Sequence, residues 1–158
     1  MVKIYVIDTN VLIQNPQALL SFEDNQVILP VVVLEELDNL KKAEGEKGRN
    51  ARAAIRILEE LRLKGNLLEG IRLEPHGMIR VEKNYIDVKL PEDLPEDKMD
   101  NRILKVCKGL AESSSQQVIL VTKDILLRIK AQIIGIRAED YTTEQVAEYE
   151  GQYKGRIE

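Results

Sequence analysis

Four acidic residues of this chain, Asp8, Glu36, Asp100 and Asp124, are placed so that their carboxylates could act together. Asp8 ends the apolar run Ile4-Tyr5-Val6-Ile7 and is followed by Thr9-Asn10. Asp124 follows a second such run, Val118-Ile119-Leu120-Val121, after Thr122-Lys123. Two carboxylates ~4 Å apart repel by roughly 4 kcal/mol at an effective dielectric of 20. A cluster of them stays ionised only around a cation, or else takes up protons. Ligation by oxygen alone selects Mg²⁺ or Mn²⁺ over zinc. One histidine and one cysteine in the whole sequence argue against a zinc site. Lys123 is the one lysine that sequence position could put inside the cluster.

The elements that must deliver these acids follow from hydrophobic patterning. Neither apolar run alternates with polar residues, so both read as strands buried on both faces of a parallel sheet. Ligands of such sheets sit beyond the carboxyl ends of the strands, where Asp8 and Asp124 fall if the two strands are neighbours. Glu36 lies in a helix over residues 30–42, whose apolar stripe is Val33, Leu34, Leu37 and Leu40. It flanks that stripe between Val32 and Leu40, whereas Glu35 points to solvent with Asp38 and Asn39. In a further helix Asp100 shares a face with Ile103, Leu104, Val106, Cys107, Leu110 and Ala111, and Asn101 and Arg102 fall outside its centre. A carboxylate in a helix's first turn is favoured by the dipole, but if buried it needs a partner. Each aspartate taken alone has a plainer reading, as a helix cap or turn residue. The joint placement of four is what points to a metal.

Along the chain, the spacing predicts strands at 3–7 and 26–29, a short helix at 16–22, a charged turn at 43–48 and a helix at 48–63. Residues 71–73 and 78–81 flank Glu74-Pro75-His76-Gly77 and read as a hairpin or small insertion. Residues 91–97 form an acidic, exposed loop before a helix over 97–112. A helix over 123–134 stops at Gly135, and 136–138 can add one strand. The class is α/β: a three-layer α/β/α sandwich around a mostly parallel sheet, with a hairpin insertion near 71–82. One domain over 1–141 and a polar, linker-like tail over 142–158 account for the chain's 158 residues.

Hydrophobic content of 44% and charged content of 32% are those of an ordinary globular protein. No apolar stretch approaches a membrane span, and the early strand leaves no room for a signal peptide. The lone Cys107 excludes an internal disulfide and suits a reducing cytoplasm. Cys107 and Met99 read as packing residues, and His76 as an exposed turn residue. A net charge of −4 does not exclude a nucleic-acid partner, since a local basic patch can coexist with it. One such patch is Arg49, Arg52 and Arg56 on one helical stripe, within 41–64, where eight basic residues face four acids. The stripe could contact phosphates, although a solvated helix face is the blander reading. With one phenylalanine and no tryptophan, there is no evident base-stacking platform.

The ordered set Ile7-Asp8-Thr9-Asn10-Val11-Leu12, Leu29-Pro30, Glu35-Glu36-Leu37-Asp38, Asp100-Asn101-Arg102-Ile103-Leu104 and Leu120-Val121-Thr122-Lys123-Asp124 resembles the PIN domain, a metal-dependent nuclease fold. Within that family it is most similar to the PIN domain placed ahead of a PhoH-like ATPase. The resemblance implies that Asp8, Glu36, Asp100 and Asp124 form an acidic quartet that binds Mg²⁺ or Mn²⁺ and hydrolyses single-stranded RNA. It implies that Asn10 and Thr122 support Asp8; with single-stranded RNA as the substrate, the stripe Arg49, Arg52 and Arg56 read above supplies candidate RNA contacts. Asn101 departs from the second acid that the family often has there, which weakens the case for a second metal. A C-terminal ATPase and homo-oligomers, as pairs or rings, are also expected from the resemblance, and no membrane partner. This chain has no phosphate-binding loop of the GxxxxGK type.

Two other functions are consistent with parts of the pattern. A phosphatase of the haloacid-dehalogenase type would use Asp8 as nucleophile, but it wants an acid at position 10, which is Asn10. A degenerate PIN module would serve as an RNA or protein scaffold, against which the complete set of acids argues.

Overall fold

A computed structural model describes residues 2–141. Its elements are β1 (Ile4–Ile7), α1 (Thr9–Leu12), a 3-10 turn (Pro16–Leu20), β2 (Gln26–Pro30), α2 (Val31–Leu40), α3 (Gly45–Arg62), β3 (Ile71–Arg72), β4 (Met78–Glu82), α4 (Met99–Ser113), β5 (Val118–Val121), α5 (Ile125–Ile133) and β6 (Arg137–Glu139). The six strands form one sheet in the order β3-β4-β2-β1-β5-β6. All neighbouring pairs are parallel except β3 with β4. Helices cover both sides of the sheet, giving the expected α/β architecture.

β1 lies beside β2 at the centre of the sheet, and three of its four residues are shielded from water. Ile4, Val6 and Ile7 are at most 2% exposed, and β5 is buried at every position. From β1 the chain builds outward one way through β2 and β4, then returns to add β5 and β6 on the other side. The reversal opens a crevice at the carboxyl ends of β1 and β5, the usual ligand position in such sheets. Ile7 is level with Val121, so Asp8 and Thr122 occupy the next rung.

The 71–82 segment differs from the expected insertion. Its hairpin is present, but β4 pairs in parallel with β2 from Gln26↔Met78 to Pro30↔Glu82 and is a full member of the sheet. Only Ile79 and Val81 of β4 are buried, and the Glu74–Gly77 turn between two short runs is what made the segment read as a separate hairpin. Helix α3 starts at Gly45 rather than at Gly48. A Cβ on Gly48 would come within 1.8 Å of the Ala43 carbonyl oxygen, so only glycine lets the first turn of α3 cross the α2–α3 connection.

The acidic 91–97 loop is exposed except at Leu94, which is 5% exposed and belongs to the core. The loop is fixed to α4 as well. Asn101 Nδ2 donates to the Pro95 carbonyl at 2.7 Å, and Lys105 pairs with Glu96 at 3.2 Å. Asn101 and Lys105 are accordingly buried, at 0% and 9% exposure, which corrects the expectation that Asn101 lies off the inner face of α4. The expected tail over 142–158 lies outside the described residues. No helix among those described is long and apolar enough to cross a membrane.

Candidate metal centre

Asp8 leaves β1 in extended conformation and caps α1, its Oδ1 accepting the Thr9 N–H at 2.7 Å. Its Oδ2 accepts the Thr122 hydroxyl at 2.7 Å and the Asn10 amide at 3.1 Å. Asn10 also donates to Thr122 Oγ1 at 3.2 Å, and its own Oδ1 accepts the Lys123 N–H at 2.9 Å. The ends of β1 and β5 are thereby laced together by side chains. Thr122 Oγ1 accepts the Asp124 N–H at 3.1 Å, and Asp124 in turn caps α5 by accepting the Leu126 N–H at 2.9 Å. The capping role that each aspartate could have on its own is therefore real for Asp8 and Asp124, and it orients both.

Glu36 reaches the same edge from α2 and accepts the Thr9 hydroxyl at 2.5 Å. Glu35 is exposed, as the helical spacing required. Burial pushes the Asp8 carboxyl up to about 6, against the opposing pull of the Thr122 and Thr9 hydrogen bonds, and the charges of Glu36 and Asp124 add to the rise. Asp8 thus senses the charges of both Glu36 and Asp124. Beneath them Cys107 of α4 is fully buried, and burial together with the Asp8 charge holds its thiol far above the ordinary range.

Asp100 stands in the first turn of α4, and its Oδ2 pairs with the ammonium of Lys130 from α5 at 2.9 Å. That lysine was not anticipated; its spacing from Asp124, i to i+6, gives no contact rule. Lys123 is not in the cluster. Its ammonium lies 2.6 Å from the Tyr141 carbonyl and 3.1 Å from Asp140. Among the arginines, Arg49 and Arg56 are exposed. Arg52 is exposed too, but its guanidinium donates to the Lys41 carbonyl at 2.7 Å and so closes the end of α2. His76 is exposed in the β3–β4 turn.

Could these residues hold a divalent cation? The donors are all oxygen, as Mg²⁺ or Mn²⁺ requires. Asp8 is buried against neutral donors only, and none of Asp8, Glu36 and Asp124 has an ion-pair partner among the described residues. A buried carboxylate without a counter-charge is costly, so the donor chemistry fits a cation. The side chains are not yet gathered around one: among the described residues no three His, Cys, Asp or Glu are grouped to hold a metal.

The PIN-domain family profile matches residues 5–142. The chain belongs to the PIN-domain family. It is 45% identical over 161 residues to protein PhoH2 of Bacillus subtilis (strain 168), covering 98% of this chain and 36% of that protein. It is 38% identical over 148 residues to protein PhoH2 of Mycolicibacterium smegmatis (strain ATCC 700084 / mc(2)155), covering 92% of this chain and 33% of that one. The chain therefore spans about a third of the length of these curated relatives, which are larger proteins. Among solved structures, a domain of a functionally unknown protein from Methanocaldococcus jannaschii DSM 2661 superposes with a TM-score of 0.54 at 24% identity. That match covers 89% of this chain and 91% of the other, and it speaks for the fold. PIN domains are in general a nuclease fold.

Proposed function

We propose that this PIN domain is a divalent-metal-dependent ribonuclease that hydrolyses phosphodiester bonds of single-stranded RNA. The observation that carries the reading is Asp8: a buried carboxylate at the crevice between β1 and β5, supported by neutral donors and flanked by Glu36 and Asp124. When bound, Mg²⁺ or Mn²⁺ would supply a water of lowered pKa and a positive charge for the crowded phosphorane-like transition state.

The chain's own residues prepare that chemistry. Asp8 is the central ligand in this reading, with Asp124 and Asp100 beside it. Glu36, held at the edge of the crevice by Thr9, positions the attacking water or holds a second ion. Thr122 and Asn10 fix the direction of the Asp8 lone pairs, which is what groups behind a metal ligand normally do. Arg49 and Arg56 are available to phosphates on either side of the cut, whereas Arg52 already serves the α2 terminus. In a longer protein such as the relatives, a PhoH-like ATPase would follow this domain.

Cleavage of a labelled single-stranded RNA with Mn²⁺, lost on chelation and lost in Asp8→Asn, is the expected result. Undiminished cleavage by that variant would sink the assignment. The Asp100–Lys130 pair favours one second reading, a scaffold in which Asp100 never ligates. RNA binding without Mn²⁺-dependent cleavage would identify it.

A further inference from the structure

The end of β5 is held from two sides. On one side the Thr122 hydroxyl donates to Asp8 Oδ2 at 2.7 Å, and the Lys123 N–H donates to Asn10 Oδ1 at 2.9 Å. On the other side stand the last described residues of the chain. The Thr122 N–H donates to the Glu139 carbonyl at 3.0 Å, and the Lys123 ammonium donates to the Tyr141 carbonyl at 2.6 Å. Asp140 Oδ1 is the hub of the remaining contacts. It lies 3.1 Å from the Lys123 ammonium and 3.7 Å from the Arg128 guanidinium, and it accepts the Tyr141 N–H at 2.7 Å. Arg128 in turn donates to the Thr122 carbonyl at 2.7 Å. Tyr141 is itself anchored: it is 6% exposed, its ring centroid is 5.8 Å from that of Phe22, and its hydroxyl is 3.0 Å from Ser21 Oγ. The exit of the chain is therefore joined to the Asp8 carboxylate through one dipeptide, Thr122-Lys123.

Both backbone groups of Thr122 are occupied by this set, its N–H by Glu139 and its carbonyl by Arg128. A β-branched side chain is stiff about its first torsion, so the direction of the Thr122 hydroxyl follows its backbone. Hydrogen bonds weaken steeply as they lose alignment, so a tilt of residues 122–123 is felt at Asp8. We propose that Asp140-Tyr141 is a latch on the acid site, in which Asp140 is a positioning residue that acts through Lys123 and Arg128 to keep Thr122 and Asn10 on Asp8. Displacing the exit loosens Asp8, so the chain beyond residue 141 can regulate the site by pulling on it. The latch stands on these contacts, and only its effect on cleavage rests on the nuclease reading above.

The test uses the full chain. The side-chain amide of Asn10 reports its bonds to Asp8 and Thr122, and its proton exchange with water is read by nuclear magnetic resonance in chelator. Asp140→Ala is expected to speed that exchange about threefold to tenfold, the scale of one hydrogen bond. Tyr141→Ala, which frees the exit from Phe22 and Ser21, should move the same signals in the same direction. In a Lys123→Met background the effect of Asp140→Ala should fall to less than half. Arg137→Ala breaks a neighbouring pair on β6 that lies outside these contacts, and it should leave the Asn10 signals in place. The melting temperature reports that each variant is folded. With Mn²⁺ and single-stranded RNA, Asp140→Ala should lower kcat about threefold to tenfold and keep KM within about twofold, as the loss of an aiming group does. Unmoved Asn10 signals in folded Asp140→Ala overturn the latch, and so does an effect of full size in the Lys123→Met background. No cleavage by the unaltered protein overturns the nuclease reading alone, and the Asn10 signals then decide the latch by themselves.

Discussion

The Thr122 hydroxyl lies 2.7 Å from Oδ2 of Asp8, across a sequence separation of 114 residues. The β1–β5 register places them on the same rung, so the contact follows from strand pairing rather than from loop conformation. Thr122→Val removes the hydrogen bond that most lowers the Asp8 pKa while keeping the shape of the side chain. Activity is expected to fall about 10- to 100-fold, the usual effect of losing a group behind a ligand. The acidic limb of the pH–rate profile should move to higher pH, and Thr122→Ser should restore most of both.

Asp8 also makes stability depend on pH. Its folded-state pKa is raised from the ordinary 3.8 to about 6, so the folded chain holds the proton more tightly than the unfolded one. Without metal, stability should therefore decline as pH rises from about 4 to about 6 and stay reduced above that. The loss attributable to Asp8 is on the order of 2–3 kcal/mol. Asp8→Asn should flatten this part of the profile and raise the melting temperature at pH 7 in the presence of chelator. Added Mn²⁺ should stabilise the unaltered protein and leave Asp8→Asn nearly unmoved. Chemical denaturation across that pH range checks both statements.

Arg52 and its neighbours on α3 should separate cleanly. Arg52→Ala exposes the α2 terminus by removing a bond to the Lys41 carbonyl, costing about 0.5–1.5 kcal/mol of stability. Arg49→Ala and Arg56→Ala should leave stability within about 0.5 kcal/mol. If they contact RNA, each should lower the salt slope of binding by about one.

Asn101→Asp tests what the interior of α4 tolerates. Asn101 is fully buried, and its Oδ1 has no hydrogen-bond partner. A carboxylate there would lack a counter-charge and is expected to destabilise the protein by at least about 2 kcal/mol in chelator. Divalent cation should recover part of the loss if the new charge joins the metal site, read as a larger melting-temperature rise than in the unaltered protein.

Cys107 should be inert. Its thiol is fully buried and held protonated, and the thiolate is the reactive form. Iodoacetamide at pH 8 should label it only as fast as the domain opens, and denaturant should make labelling immediate.

The sheet's centre and the directions of Asp8, Glu36 and Asp124 were legible from residue type because burial on both faces and helical spacing leave few alternatives. The hairpin's place in the sheet was not, since the Glu74–Gly77 turn signals the β3–β4 hairpin but says nothing of the parallel pairing of β4 with β2. Asn101 was placed by helical spacing outside the centre of the inner face, yet the 91–97 loop folds over it and accepts from its Nδ2. The partner of Asp100 could not be read at all. Lys130 comes from another helix, and the crossing of α4 and α5 leaves no signature in either sequence.

Because Asp8 and its hydroxyl donor come from opposite ends of the domain, ribosome-bound chains shorter than about Asp124 have the acid and its local Thr9 and Asn10 bonds but lack the hydroxyl that ties it to β5. An enzyme built this way would be harmless to its own message until synthesis of the domain is nearly finished. Assembly of the crevice and completion of the fold are then a single event.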